Sequence, residues 1–146
     1  MKLKQLSLFV ENRPGQMKMP FKALAEAGVN ILTLSLADTE QFGILRLIVK
    51  DWERAKAVLE ATGCVVNVTD VVAIEVEDKP GGLYTVLAAI EDAKLNVEYM
   101  YAFTFGKGDR AALIFRFDDI DAAIAALQQR GVNVIGGVDL YSRNAS

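Results

Sequence analysis

The chain contains an internal repeat, and this repeat constrains its fold more than any other feature of the sequence. A displacement of 66 residues places Glu11–Gly15 (ENRPG) on Glu77–Gly81 (EDKPG). After a predicted turn at 105–109, where the second copy is two residues longer, the displacement becomes 68. Further matched pairs are Phe21 and Leu87, Asn30 and Asn96, Asp51 and Asp119, and Gly63 and Gly131. Such self-similarity predicts two copies of one structural unit, which we place at residues 1–70 and 71–146.

The order of predicted elements is the same in both copies. Alternating apolar and polar residues predict strands, and apolar residues at helical spacing predict helices. The expected strands are 4–11, 30–37, 43–50 and 65–71 in the first copy, and 72–76, 96–105, 110–117 and 132–140 in the second. A helix follows the first and the third strand of each copy, so the order is βαββαβ. This order predicts a ferredoxin-like α+β fold, in which an antiparallel four-stranded sheet carries both helices on one face.

The first helix of the first copy departs from the repeat. Pro20 stands where the second copy has Val86. A proline at this position has no N–H to donate, and it disfavours helical geometry at Met19. We therefore expect this helix to start late or to be distorted in its first turn.

The sheet face away from the helices is expected to be mainly apolar. If the alternation holds, this face carries Phe9, Ile31, Thr33, Ile44, Arg46 and Ile48 in the first copy, and Val97, Tyr99, Tyr101, Phe103, Ile114 and Arg116 in the second. So much apolar surface is not expected to lie in water. We expect it to be covered by the other unit, by a second copy of the chain in a homodimer, or by both.

The composition narrows the functions that such a chain can have. Of its 146 residues, 52% are apolar and 24% are charged, so a folded core is expected. The net charge of −3 offers no basic surface for nucleic acid or for an anionic membrane. The chain has no histidine, the usual general base and commonest metal ligand, and its one cysteine, Cys64, cannot form an intrachain disulfide. We therefore predict no catalytic residues, no metal site and no cofactor.

The sequence shows no targeting segment. The apolar run Leu6–Val10 is too short for the hydrophobic part of a signal peptide. No apolar stretch reaches the length of about 18 residues that a membrane span needs, and a single thiol is typical of a reducing compartment. These features predict a cytoplasmic protein with no membrane partner.

The repeated loops and strand starts resemble those of tandem ACT-domain proteins. In each copy a Pro-Gly pair is followed fifteen residues later by an asparagine at the start of a strand. The motifs are Asn12–Gly15 with Gly28–Ile31, and Asp78–Leu83 with Leu95–Val97; the stretches 42–46, 67–71 and 97–101 resemble stand-alone paired ACT proteins in particular. The resemblance covers essentially the whole chain. It implies a regulatory module that binds amino acids at the interfaces between units and regulates amino-acid metabolism.

The chemistry of a free amino acid is compatible with this resemblance. Its carboxylate needs N–H donors, and the first amides of a helix are unpaired and lie in a favourable dipole field. Gly81, Gly82 and Leu83 stand where the first helix of the second copy begins, and glycines let a ligand approach the backbone. The ammonium group needs acceptors, which the side chains of Asn30 or Asn96 would supply.

The candidate ligand-binding residues lie in the two Pro-Gly loops, at the two asparagines, and on the second strand of the second copy, which would select the ligand's side chain. They are Asn12, Arg13, Gly15, Gln16, Met17, Asn30, Asp78, Pro80, Gly81, Gly82, Leu83, Asn96, Glu98, Tyr99 and Met100. We favour the loop around Gly81–Leu83, completed by Asn30 across the unit boundary, because Pro20 disturbs the other loop. Three alternatives stay open: the Pro-Gly pairs as plain turns, the asparagines as caps of strand starts, and the aromatic residues as a buried interface.

The sequence favours a regulatory protein that binds a free amino acid and is not itself an enzyme. We expect it to act through a partner, such as an amino-acid biosynthetic enzyme, or through assembly. The alternatives are a structural interaction module without a ligand, an RNA-binding protein, and a small enzyme. RNA-binding domains share the βαββαβ order, but the sequence lacks the basic and aromatic pattern that they need on the third strand. A small enzyme would use carboxylates such as Glu75, Glu98 or Asp109, whose spacing indicates no particular reaction.

Overall fold

The computed structural model describes residues 2–38, 40–104 and 110–143, and in this part the chain forms two compact units. The N-terminal unit comprises Lys4–Thr69, and the C-terminal unit comprises the described residues from Asp70 onward together with Lys2 and Leu3. The turn expected at 105–109, which includes Asp109, and the side chain of Phe103 lie outside the described residues.

In the N-terminal unit a four-stranded sheet carries two helices. Along the chain the elements are β1 (Leu3–Glu11), α1 (Lys18–Glu26), β2 (Ile31–Asp38), β3 (Phe42–Val49), α2 (Trp52–Ala61) and the start of β4 (Val66–Glu77). The strand order is β2-β3-β1-β4, and β3 pairs antiparallel with both β1 and β2. The strands predicted at 65–71 and 72–76 are therefore a single strand, β4, which contributes to both units.

The C-terminal unit repeats this arrangement. After β4 come α3 (Gly82–Asp92), β5 (Val97–Thr104), β6 (Arg110–Phe117), α4 (Ile120–Gln129), β7 (Val134–Ile135) and α5 (Gly137–Arg143). The strand order is β5-β6-β4 with β7 paired to β4, and all three pairings are antiparallel. Counted within each unit, the strand order is the same, and the predicted pair of ferredoxin-like α+β units is confirmed.

Each unit has its own apolar core between its helices and one face of its sheet. Alternate residues of the inner strands point toward the helices. The core side chains are Leu6, Leu8, Leu24, Leu45, Leu47, Val49, Leu59 and Val66 in the N-terminal unit, and Val72, Ile74, Val86, Ile90, Phe115, Phe117, Ala123 and Leu127 in the C-terminal unit. In the C-terminal core the rings of Phe115 and Phe117 stack with their centroids 5.6 Å apart. This packing places both helices of a unit on the same face of its sheet.

The late start expected for the first helix is confirmed. α3 begins at Gly82, which the repeat matches to Gln16, whereas α1 begins two positions further on, at Lys18. Met17 precedes α1 as its N-cap residue, without a side-chain hydrogen bond to the helix. Pro20 is buried within the first turn of α1. A backbone N–H in the first turn makes no hydrogen bond within the helix, so a proline there removes none.

Two residues predicted for the open face of the sheet lie on its core face instead. Ile31 pairs with Val49 and packs against the core of the N-terminal unit, and Val97 packs in the same way against the core of the C-terminal unit. The strand register shifts directly after each of them, between Ile31 and Thr33 and between Val97 and Tyr99. Because a bulge adds one residue and reverses the alternation, the predicted face was wrong for Ile31 and Val97.

The strand predicted at 132–140 is wrong for most of its length. Only Val134–Ile135 forms a strand, and Gly137–Arg143 forms α5. Glycine weakens a strand, and the pair Gly136-Gly137 follows directly after β7. Leu140, which is buried, donates its N–H to the Gly136 carbonyl at 3.0 Å. The residues after the glycines therefore make helical hydrogen bonds in place of a sheet ladder.

The backbone of Lys94, just beyond α3, is strained. Its φ is +56°, the one positive value at a non-glycine residue in the described part of the chain, and the matched residue of the first copy is Gly28, with φ +70°. A side chain in this conformation costs about 1 kcal/mol relative to glycine. We predict that Lys94→Gly raises Tm by about 3 °C in calorimetry and that Gly28→Lys lowers it similarly. Unchanged Tm values in both variants would contradict this account of the strain.

Candidate functional site

The loop between β4 and α3 depends on two glycines. Gly81 has φ +87° and is the N-cap residue of α3. Gly82 donates its N–H to the Lys79 carbonyl at 3.0 Å. A Cβ at Gly82 would overlap the carbonyl oxygen of Glu77 and lie 3.1 Å from the carbonyl carbon. The loop therefore folds back on the end of β4 more closely than a side chain would allow.

The first turn of α3 is tied to the same loop. Thr85 donates both its N–H and its hydroxyl to the Gly81 carbonyl, each at 3.0 Å. The amides that follow Gly82 at the start of a helix have no acceptor within the helix, and they lie in the positive end of its dipole field. This junction offers hydrogen-bond donors to a ligand carboxylate.

A cleft of about 530 Å³ opens beside this loop, entirely within the C-terminal unit. We call it the C-terminal cleft. Its walls are the end of β4, the loop, the first turns of α3, the start of β6 and the turn between α4 and β7. The lining residues are Glu75–Glu77, Lys79–Gly82, Thr85, Val86, Ala89, Arg110 and Arg130–Asn133. A smaller cleft of about 320 Å³, which also borders Val76, Glu77 and Lys79, includes Asp78, Leu83 and Ala102 in its lining.

The C-terminal cleft contains a network of charged side chains. The Glu75 carboxylate, 10% exposed, accepts hydrogen bonds from Arg110 Nε at 2.8 Å and from Asn133 Nδ2 at 2.7 Å. Arg110 Nη1 lies 3.8 Å from a Glu77 carboxylate oxygen, and Glu77 also pairs with Lys79. The hydrogen bond and the positive charge of Lys79 hold the pKa of the Glu77 carboxyl below its usual range. Glu77 is therefore ionised at neutral pH.

Arg130 adds a further positive charge to this cleft. It is the C-cap residue of α4, and its guanidinium donates to the Ala126 carbonyl at 3.1 Å. Within the described ranges, no carboxylate forms an ion pair with Arg130. Among the described residues that line it, the cleft thus has three cations, Lys79, Arg110 and Arg130, and two anions, Glu75 and Glu77, an excess of one positive charge.

The N-terminal unit has a cleft of about 360 Å³ at the position that the repeat matches to the C-terminal cleft. We call it the N-terminal cleft. Its lining is mostly apolar and comprises Phe9, Val10, Glu11, Gln16, Met19, Pro20, Phe42, Thr62, Gly63, Cys64 and Val65. By the displacements of 66 and 68, Phe9 matches Glu75, Phe42 matches Arg110, Val65 matches Asn133 and Thr62 matches Arg130. One place in the repeated fold is therefore charged in one unit and apolar in the other.

The predicted residues of the N-terminal loop are placed differently from one another. Gln16 lines the N-terminal cleft, whereas Met17 packs against the core. Arg13 forms an ion pair with Glu11, with Nε 2.8 Å from the carboxylate oxygen. The other two predicted residues, Asn12 and Gly15, are exposed. The backbone N–H of Asn12 donates to the Gln41 carbonyl at 3.0 Å, and Gly15 has φ +89°. The late start of α1 thus leaves most of these residues outside the N-terminal cleft.

Of the predicted residues in the second copy, the structure brings only the loop residues into the clefts. Pro80, Gly81 and Gly82 line the C-terminal cleft, and Asp78 and Leu83 line the smaller one.

The predicted residues before and on β5 line none of these clefts. The side-chain amide of Asn96 donates to an Asp118 carboxylate oxygen at 3.0 Å, and a Glu98 carboxylate oxygen lies 3.4 Å from Arg116 Nε in an ion pair. Tyr99 is half-buried, and Met100, which pairs with Phe115 across β5 and β6, is exposed. Asn30 in the N-terminal unit is exposed. That these residues bind a ligand remains a prediction.

The candidate ligand-binding residues omitted six residues of the C-terminal cleft with charged or amide side chains: Glu75, Glu77, Lys79, Arg110, Arg130 and Asn133. Glu75, Glu77 and Lys79 lie on β4 or in the loop after it, whereas Arg110 lies on β6 and Arg130 and Asn133 lie in the turn between α4 and β7, and folding alone brings these three to the loop. A comparison of charge between the two copies would have indicated the two arginines, because Arg110 matches Phe42 and Arg130 matches Thr62. Within the described residues, no cluster of three or more metal-ligating side chains occurs, and no helix is long and apolar enough to cross a membrane.

Comparison with known proteins identifies the family. Residues 1–142 match the family described as the ACT domain pair. The chain belongs to this family. The predicted resemblance to tandem ACT-domain proteins is confirmed. No curated protein matches the sequence.

Solved structures resemble this ACT pair over most of its length. Protein BT0572 from Bacteroides thetaiotaomicron is 35% identical, with a TM-score of 0.89 over 97% of this chain and 96% of that one. The regulatory subunits of aspartate kinase from Thermus thermophilus (19% identity, TM-score 0.62) and Thermus flavus (20%, 0.60) each match 86% of this chain and 90% of theirs. At these lower identities the Thermus proteins show a shared fold alone.

We predict that Gly82→Ala destabilises the ACT pair. Alanine at an unhindered helix start would be neutral or slightly stabilising, but at Gly82 the overlap with Glu77 must displace the loop. We expect a fall in Tm of about 4–8 °C in thermal unfolding. The matched control is Gly136→Ala, because a Cβ there meets nothing within 4 Å and the φ of Gly136 is not positive; its Tm should change by less than about 2 °C. Equal effects of the two substitutions would contradict the close approach at Gly82.

Proposed function

We propose that this ACT pair is a regulatory protein that binds a free amino acid at the loop between β4 and α3. The observation that carries the proposal is the C-terminal cleft, in which the backbone of Gly81 and Gly82 borders the same space as charges of both signs. Its volume of about 530 Å³ lies within the range of small-molecule sites. We place the two ACT units at residues 1–70 and 71–146.

The two charged groups of an amino acid fit the chemistry of this cleft. Its carboxylate would accept hydrogen bonds from the amides at the start of α3, which the glycines leave accessible. Its ammonium group would pair with Glu77, whose carboxylate is ionised and borders the loop. Neither group requires a side chain with a pKa near neutrality, so a chain without histidine is adequate for binding.

We further propose that this protein is not an enzyme and acts on amino-acid metabolism through a partner or by assembly. The carboxylates of the C-terminal cleft are engaged by cations, Glu75 with Arg110 and Glu77 with Lys79. Lys79 lowers the pKa of the Glu77 carboxyl, whereas a general acid at neutral pH needs a raised pKa. The two Thermus proteins that share this fold are regulatory subunits of aspartate kinase. An amino-acid biosynthetic enzyme as partner, a homodimer, a cytoplasmic location and the absence of a cofactor belong to the same proposal.

Thermal unfolding of the full chain against the twenty amino acids tests this function. A ligand that binds only the folded state at 100 times its Kd adds about 2.7 kcal/mol of stability, which corresponds to a rise in Tm of about 5–10 °C. We predict such a rise for one or a few L-amino acids. The D-enantiomer and the decarboxylated amine of each hit should give no rise. Gly82→Ala should abolish the rise, and Gly136→Ala should retain it. If no amino acid at millimolar concentration raises Tm, the chain is a structural interaction module and this proposal is wrong.

A further inference from the structure

The two repeat-matched clefts differ in charge although the fold around them is the same. In both units the cleft lies between the end of the first strand, the first helix and the turn after the second helix. The register around it is also the same: Glu77 pairs with Arg110 across β4 and β6, and Glu11 pairs with Phe42 across β1 and β3. The strands around the two clefts therefore share one register, whereas the side chains on them differ and α1 starts two positions later than α3.

The charges of the C-terminal cleft are not required by the fold. The N-terminal unit forms the same strand pairing with Phe9 in place of Glu75 and Phe42 in place of Arg110. Burying a carboxylate has an energetic cost even when it is paired, and Glu75 is 90% buried beside its partner. Phe9 and Phe42 at the matched positions are 62% and 44% exposed, so the N-terminal unit folds without any buried ion pair at this place. The charged network of the C-terminal cleft therefore indicates a role in recognition.

Among the described residues of the C-terminal cleft, Arg130 is the cation without a carboxylate partner. Glu75 and Glu77 engage Arg110 and Lys79, whereas Arg130 contacts a backbone carbonyl and, in the described part of the chain, has no carboxylate partner. A zwitterionic amino acid with an uncharged side chain brings no net charge to the cleft. A ligand with one additional carboxylate neutralises the excess positive charge.

We propose that the C-terminal cleft binds an acidic amino acid and that Arg130 receives the carboxylate of the ligand's side chain. The inference rests on the proposed function and names the class of its ligand. The N-terminal cleft is not a second site for this ligand, because it has the apolar side chains of Phe9, Phe42 and Val65 at the matched positions. The ACT pair therefore has one acidic-ligand site for each chain.

Calorimetric titration of the full chain with each acid and its amide tests the ligand class. The pairs are L-glutamate with L-glutamine and L-aspartate with L-asparagine, which differ by the one carboxylate. We expect the better acid to bind with a stoichiometry of one and at least about ten-fold more tightly than its amide, as one charged hydrogen-bonded contact provides. Equal or tighter binding of the amides, or of an apolar amino acid, overturns this inference and leaves the proposed function intact. Binding of none of the twenty amino acids overturns both.

Substitution of Arg130 tests the role of its side chain. Arg130→Thr introduces the residue that caps α2 in the first copy, where Thr62 has φ −87° and ψ 0° against −94° and 8° for Arg130. The cap geometry is therefore retained. We expect the affinity for the acid to fall about ten-fold and that for the amide to stay unchanged.

Two further variants complete this test. Arg54→Gln removes a positive charge from an exposed site in the N-terminal unit, and it should leave both affinities unchanged. Arg130→Gln, whose unliganded Tm is compared with that of the parent chain, should repeat the loss seen with threonine. An acid-over-amide preference that survives both Arg130 substitutions would overturn the assignment of Arg130.

Discussion

The architecture of this ACT pair depends on the burial of one sheet face under two helices, carried out separately in each unit. Side chains such as Leu47 in the N-terminal unit and Phe115 in the C-terminal unit are fully buried, and each large apolar side chain buried in this way contributes about 1.5–3 kcal/mol. A shift of one residue in any inner strand would turn these side chains away from the helices. The cores therefore fix the strand register, and the register fixes where each strand passes into its helix.

The functional differences lie at the junctions that this packing positions but does not specify. Gln16 and Gly82 occupy matched places, yet only the second begins a helix directly, because Gly82 approaches the Glu77 carbonyl without a side chain between them. Phe9 and Glu75 likewise occupy matched places on the strands. Since neither core depends on these positions, one unit has acquired a charged cleft and the other an apolar one. Within one chain, the apolar cleft serves as the control for the charged one.

The sequence predicted those features that local patterns determine. The repeat, the element order and the late start of α1 follow from spacing, from glycine positions and from Pro20. The predictions failed where one or two residues change the backbone geometry. The bulge after Ile31 leaves the apolar–polar alternation of the sequence unchanged, but it reverses the sheet face to which the side chains point. Gly136-Gly137 ends a strand in a segment whose apolar spacing is compatible with either a strand or a helix. Of the C-terminal cleft, the sequence predicted the loop but not the charged residues around it. The loop glycines are visible as a motif, whereas Arg130 reaches the same space from a different element, which no local pattern encodes.

The central claim is that one of two structurally equivalent clefts is the amino-acid site. The most direct measurement is the amide NMR spectrum of the ¹⁵N-labelled full chain during titration with L-glutamate, followed by L-aspartate. The account predicts that saturable shift changes concentrate in the amides of Lys79, Gly81–Tyr84 and Arg130–Asn133, while the amides of Arg13, Gly15, Gln16 and Thr62–Val65 stay unchanged. Changes confined to the N-terminal cleft, or of equal size in both clefts, would contradict it.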